Sequence, residues 1–484
     1  MEELQKKVEQ LERENQELRE LVRLLTEKLT AAEEKIQQLT EQLNQNSRNS
    51  HWPPSRDKSR KKKRTSSLRA KSDKPPGGQK GHSGHTLEMQ AKPDVIVAHR
   101  PQACRHCQQP FSDADRAVAV DKRQVHDLPP MQVVVTEHQA ETLNCRHCRQ
   151  LSQGTFPQDV VAPVQYGPRL QQLAVYLKSE QYIPYDRSRQ FLADLFELDL
   201  SPGTLQNIIA RAAERLRPIV GQIKQALAAG DILNCDESGF YIGGQRHWLH
   251  VAATDSLTCY FPHRYRGSQA TKAMGILPDF RGRVIHDFLS AYYQYQACDH
   301  GLCNVHHLRD LTAVAENDQQ PWATRFIWFL RSAKQQVEQA RLAGETALPP
   351  QKVAQIERLY DRLIAAALQA NPPPPGGWPQ GKRGRPKKTK PRNLAERFEN
   401  RRPEVLAFVY DFKVPFDNNL AERDIRMLKV QQKISGCFRS QAGAEDFCTI
   451  RSYLSTMRKQ GIRVWSALGS VFAGDILMPD LTPV

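Results

Sequence analysis

The sequence predicts a multidomain α+β chain: a coiled coil, a four-cysteine zinc domain, a helical region and a mixed α/β core with a helical insertion. Three observations predict it. A heptad repeat occupies the first 43 residues, two matched CxxC pairs follow, and short β-like runs ending in acids then alternate with amphipathic stretches. At 484 residues the chain has room for several domains of roughly 100–200 residues each. Lys plus Arg outnumber Asp plus Glu by 69 to 53, a net charge of +16. The excess is clustered, which points to a polyanionic partner, nucleic acid first. No apolar run approaches the roughly 18 residues that span a bilayer, and the first residues are charged rather than signal-like. The expectation is a cytoplasmic protein with no membrane partner, in which ten cysteines stay reduced and paired CxxC motifs bind metal before they form disulfides.

Residues 1–45 form the expected coiled-coil dimerisation segment. Leu4, Leu11, Leu18, Leu25 and Leu39 share one heptad position, with Ala32 in their series; Val8, Val22, Leu29, Ile36 and Leu43 share the other. Asn15 also lies in the seam, where a single polar residue sets register and favours two strands. Lys7 with Glu12, Glu14 with Arg19, and Lys28 with Glu33 suit a parallel homodimer. Residues 46–92 are too polar to fold alone, and Lys61, Lys62, Lys63 and Arg64 make this linker a candidate phosphate-tracking arm.

The segment 93–160 holds Cys104-x-x-Cys107 and Cys145-x-x-Cys148 around the strand-like "MQVVVTEHQAETL". Two such knuckles supply a closed shell of four thiolates for a structural Zn²⁺, leaving His106 and His147 outside it. Residues 161–228 show helical spacing broken at Pro184 and "LSPGT"; Ser201 is the expected N-cap, Pro202 suits the first turn, and the outline allows a helix-turn-helix DNA-binding region.

The core's first part, 229–312, begins with "GDILNCDESGFYIGG", read as a buried strand with Asp236 and Glu237 at its exit, followed by two β-like runs that pair with it as a meander. "GRVIHDFLSAYYQY" gives another strand ending in Asp287. Carboxylates at the ends of neighbouring strands repel unless divalent metal offsets them, the arrangement that holds paired Mg²⁺ ions. "CDHGLCNVHHLRDL" clusters Cys298, His300, Cys303, His306 and His307, but no second half of metal-site spacing accompanies it, so core cysteines and rim histidines are expected. The insertion, 313–400, carries amphipathic helices and "RGRPKK", whose Arg383 and Arg385 resemble the minor-groove core of an AT-hook or lie in a plain flexible loop. The core's second part, 401–484, contains "DNNLAERDIRMLK", a helix dense in cations around Glu422.

The succession of heptads, CxxC…CxxC, "DES", "HDFLSAY", "CNVHHLRDL" and "DNNLAERDIRMLKVQQKISGCFRS" resembles the transposases of the insertion sequence 66 family over essentially the whole chain. The resemblance implies a ribonuclease-H-like catalytic core with an Asp-Asp-Glu triad matching Asp236, Asp287 and Glu422, two Mg²⁺ or Mn²⁺ ions on those carboxylates, and Arg423, Arg426 and Lys429 on DNA. By the same analogy His307 or Arg309 approaches the scissile phosphate. Ser238 stands where Thr is more usual and "DFLSAY" replaces an Asp-Gly-Tyr opening, but every carboxylate is kept. The implied activity is metal-dependent cleavage of double-stranded DNA at element ends and joining to a target, in the bacterial cytoplasm at the nucleoid, as a homodimer or larger assembly with accessory transposition proteins. A catalytically inactive DNA-binding regulator and a ribonuclease-H-like nuclease are the rival readings.

Overall fold

The computed structural model describes residues 2–46, 48–50, 87–373 and 388–482. The Lys61–Arg64 run and the Arg383–Arg385 tract therefore lie outside the described residues. The chain divides into two units, one of residues 1–65, 159–191 and 199–484, the other of 66–158 with 192–198.

The first element, α1 (Glu2–Asn44), is one helix of 43 residues, as the uninterrupted heptads require. Its seam side chains are exposed along the single chain: Leu11 57%, Leu18 59%, Val22 59%, Leu29 61% and Ile36 63%. Just past its end, Arg48 and Asn49 bind Glu316 at 2.5 and 3.1 Å, and Glu41 pairs with Lys390.

In the smaller unit the strand-like stretch does not become a strand along its length. Its last residues form β1 (Thr142–Asn144), antiparallel to β2 (Leu151–Gln153) with Leu143 opposite Ser152. The valines of "VVV" are exposed, so no layer covers them, and alternation without burial does not hold a strand.

After the smaller unit's strands the chain forms α2 (Pro168–Val175), a π turn at 176–180, α3 (Tyr185–Phe196), whose last residues are counted with the smaller unit, and α4 (Pro202–Ala228). Ser201 caps α4 as its position predicts, accepting a hydrogen bond from the Thr204 amide at 3.0 Å, and Pro202 occupies the first turn. The sheet comprises β3 (Ile232–Ile242), β4 (Gln245–Ala253) and β5 (Thr258–His263), a short helix α5 (Ser268–Met274), then β6 (Arg283–His286) and β7 (Asp299–Leu302). Their order is β5-β4-β3-β6-β7. The first three form the expected antiparallel meander, and β6 and β7 run parallel to β3.

Helices α6 (Asn304–Asn317), α7 (Pro321–Leu342), α8 (Pro350–Ala370), α9 (Lys390–Asn400), α10 (Arg402–Val405) and α11 (Ala407–Tyr410) build one apolar core with Ile285 and Leu302 at the β6–β7 end. The last three, α12 (Asn419–Ser435), α13 (Gln441–Lys459) and α14 (Val464–Ala473), follow. Ile425 and Leu428 of α12, with Phe447 and Cys448 of α13, pack on Phe240, Leu249, Val251 and Tyr260 of the meander. Among the described residues no helix is long and apolar enough to cross a membrane.

One close approach pins the entry to β6. A Cβ at Gly282 would stand 2.2 Å from the Asp231 carbonyl oxygen, while Asp231 and Asp299 bond the backbone on either side of it. Gly282→Ala is expected to destabilise the chain by about 1–3 kcal/mol through overpacking against immovable backbone. Denaturant titration checks this, and an unchanged midpoint with unchanged slope would contradict it.

A candidate carboxylate centre at the exit of β6

Parallel pairing places Ile232, Leu233 and Asn234 of β3 opposite Arg283, Val284 and Ile285 of β6. Two residues further along each chain come Asp236 and Asp287, so the two carboxylates stand at one level of the sheet. Strand β3 does not end there, as the sequence suggested. It runs six residues beyond Asp236 because β4 goes on pairing with it after β6 stops. Asp236 accepts the Glu237 amide hydrogen at 2.8 Å, and Asp287 accepts that of Leu289 at 3.0 Å.

Burial pushes the Asp236 carboxyl well above the usual range, and the charges of Glu237, Asp287 and Glu422 push it the same way. Glu237 is raised to about 7 by burial and by Asp287, against the pull of Arg266. Arg266 reaches Glu237 at 2.6 Å and Asp287 at 3.4 Å, and Tyr292 donates to Glu237 at 2.9 Å. This Arg-Glu-Tyr support was not anticipated. The double acid in "DES" was its one signal, since Arg266 and Tyr292 enter from separate loops.

Glu422 lies in the first turn of α12, 15% exposed at its side chain, and its Oε1 is 3.9 Å from His306 Nδ1. Arg426 is 3.9 Å from the other oxygen and mostly exposed, too far for a direct hydrogen bond. Lys429 donates to the Gly239 carbonyl at 2.8 Å. Arg423 turns elsewhere and lines a cavity of about 490 Å³ with Asp231, Asn234, Asp417 and Lys413. Arg426 and Lys429, four and seven residues on, follow Glu422 along its face of the helix, and Arg423 does not. His307 is buried against Asn304 and Phe398, so it does not reach a substrate.

What fixes α12 is Asn418, 1% exposed, which spends its amide on the sheet instead of capping its own helix. It donates to the Cys235 carbonyl at 2.7 Å and accepts from Asn234 at 2.9 Å, while its backbone N–H meets Cys303 Sγ at 3.2 Å. Cys303 precedes α6, and burial and the Glu422 charge push its thiol up to about 12.

The charges of Asp287 and Glu422 both bear on Asp236, and carboxylate oxygens are the donors that a hard divalent cation takes, but among the described residues the oxygens of these three acids do not converge on one point. In the smaller unit each CxxC forms the same turn. The amides of Gln108 and Arg149 bond the carbonyls of Cys104 and Cys145, and both residues adopt positive φ, 61° and 60°. Backbone N–H groups of Cys107 and His106 lower the Cys104 thiol, and those of Cys148 and His147 lower Cys145, which suits thiolate ligands. His106 and His147 are exposed, as expected. The sulfurs of the two turns do not gather at one point. Among the described residues, the three metal-ligating side chains that do so are Cys303, His306 and Glu422.

Asn418→Ala leaves the Cys235 carbonyl and the Asn234 amide without this partner and is expected to cost about 1–3 kcal/mol, checked by chemical unfolding. A variant as stable as the parent would show that the amide does not tie helix to sheet.

The family described as transposase IS66 family matches residues 163–446. The zinc-finger binding domain of transposase IS66 matches residues 90–149, around both CxxC turns, and a family of unknown function, DUF6444, matches residues 1–88. No curated protein matches the chain. With its model spanning more than half of the sequence and the zinc domain adjoining it, the chain belongs to the IS66 transposase family.

Proposed function

We propose that this chain is a DNA transposase that binds the ends of its element, cuts DNA and joins it to a target through Asp236, Asp287 and Glu422. The observation that carries the reading is the β3–β6 register, which sets the half-buried Asp236 level with Asp287, within the field of Glu422 and Glu237. A merely structural acid is seldom given three acidic neighbours. The sheet order and the arrival of Glu422 from a late helix support a ribonuclease-H-like core. Its parts would be 229–312 and 401–484, with the helices of 313–400 inserted between them.

Two Mg²⁺ or Mn²⁺ ions held by the three carboxylates would supply Lewis acidity to the attacking water or 3′-hydroxyl and to the departing oxygen. The chain's own share is positional. Asp236 and Asp287 stand on rigid backbone, Arg266 holds Asp287 in place, and Arg426 near Glu422 is available to phosphate. Lys429 and Arg423 contribute to DNA binding through the surface around α12, with the basic residues 61–64, 383 and 385 as outlying phosphate or minor-groove contacts. In the smaller unit Cys104, Cys107, Cys145 and Cys148 would close round one structural Zn²⁺, which draws the two turns together. The helices of 161–228 are a DNA-binding region. The exposed seam of α1, with Asn15 in register, fits a second copy of this chain. The setting is the bacterial cytoplasm at the nucleoid, with accessory transposition proteins as further partners.

Cleavage and strand transfer on DNA carrying the native element ends test the reading, with Mg²⁺ supplied. Glu422→Gln, which keeps size but loses charge, is expected to bind the ends and to lower cleavage by more than about 100-fold, since even residues behind a metal ligand cost 10–100-fold. End binding without cutting by the parent would favour a regulator; hydrolysis without joining would favour a nuclease. Deleting residues 1–45 is expected to reduce the solution mass to that of one chain, measured by light scattering. A mass of one chain for the intact protein would refute the coiled-coil pair.

A further inference from the structure

The sequence motif Cys303-x-x-His306 found no partner pair of its own, and the fold brings it one from more than a hundred residues away. Cys303 sits at the N-cap of α6 and His306 in its first turn, so their side chains rise from the same end of the helix. Glu422 faces them from the first turn of α12. A sulfur, a ring nitrogen and a carboxylate oxygen lie within 4.8 Å of one another. A tetrahedral shell with bonds of about 2.0–2.3 Å has edges of roughly 3.3–3.8 Å, so side-chain shifts of about 1–1.5 Å would close it.

We propose that Cys303, His306 and Glu422 form a second cation site, selective for thiophilic divalent ions of the Zn²⁺ class, and that its occupation withdraws Glu422 from the two aspartates. Selectivity follows from the donors. A thiolate and an imidazole suit Zn²⁺ or Co²⁺, whereas Mg²⁺ takes oxygen and leaves sulfur alone. Three protein ligands leave a fourth position for water, unlike the all-sulfur shell of the CxxC pairs. The Asn418 amide already points at the sulfur at 3.2 Å, and the first-turn amides of α6 surround the same end, so negative charge on sulfur is supported once a cation displaces its proton. Binding therefore forms one metal–sulfur bond and releases one proton to solvent. To close this shell the Glu422 carboxylate turns towards Cys303 and His306, which draws it away from hard cations beside Asp236 and Asp287. The trio is thus a brake on the core, and this consequence rests on the function proposed above, while the binding itself does not.

Two measurements on the full-length chain separate them. Co²⁺ titration followed by thiolate charge-transfer absorption reads binding alone, with the CxxC pairs contributing the same background in every variant. Cys303→Ala and His306→Ala should each bind one Co²⁺ fewer, or bind it at least about tenfold more weakly. Superimposable titrations of the parent and both folded variants would overturn the site. Zn²⁺ added to Mg²⁺-supported DNA cleavage should suppress the parent strongly, and the fold-suppression should drop towards one in Cys303→Ala, each variant being compared with its own rate without Zn²⁺. Equal suppression in both would overturn the brake. A Co²⁺ difference with no cleavage by any variant would keep the site and remove the transposase reading instead.

Discussion

A buried amide ties the helix that carries Glu422 to the strand that carries Asp236. Asn418 joins the Cys235 carbonyl and Asn234 on β3 to the start of α12 and, through its backbone, to Cys303 ahead of α6. Farther along the helix, Asp424 accepts from Thr258 at 3.0 Å and from Lys459 at 2.7 Å, while the apolar contacts of Ala421, Ile425 and Leu428 tolerate small slides along the helix axis. Directional hydrogen bonds do not, so the position of Glu422 relative to Asp236 is set by polar bonds between segments 184 residues apart.

That rigidity is needed because the centre opposes folding. Asp236 is half-buried among like charges, and the buried Glu237 beside it is raised to about 7 despite Arg266. Both carboxyls bind protons more readily in the folded chain than in the unfolded one. Their contribution to stability is therefore present at low pH and lost as pH rises; for Glu237 this spans its ordinary 4.5 to about 7. The large apolar core of α6 to α11 and the helices packed on the meander offset such costs. Chains commonly break local rules at functional sites and compensate elsewhere.

Much of this was legible from residue pattern. The heptads gave α1, "LSPGT" gave the Ser201 cap, and the runs after "DES" gave the meander, because each depends on neighbours in sequence. The parallel register that levels Asp236 with Asp287 was legible only as two acids at two strand ends. What stayed hidden was non-local: Arg266 bridging Glu237 and Asp287, Asn418 turning its amide to the sheet, and Glu422 meeting a Cys-x-x-His motif that had no visible partner. Spacing carries no information about such meetings. Alternation misled in "MQVVVTEHQAETL", where the valines stay exposed among the described residues and only Thr142 and Leu143 enter a strand. Of the cations around Glu422, Arg423 lines a cavity beside Asn234 and Asp417, and Lys429, two turns along, bonds the Gly239 carbonyl.

The proposed centre requires divalent cations held jointly by three segments distant in sequence. Fe²⁺ bound in place of Mg²⁺, with ascorbate and peroxide, cuts the polypeptide near the metal, and mass spectrometry of the fragments reads where. Cuts beside residues 236, 287 and 422 together, all suppressed by excess Mg²⁺, are the predicted result. Cuts near 236 and 287 with the 422 segment intact, or a pattern indifferent to Mg²⁺, would contradict the claim that Glu422 completes the centre.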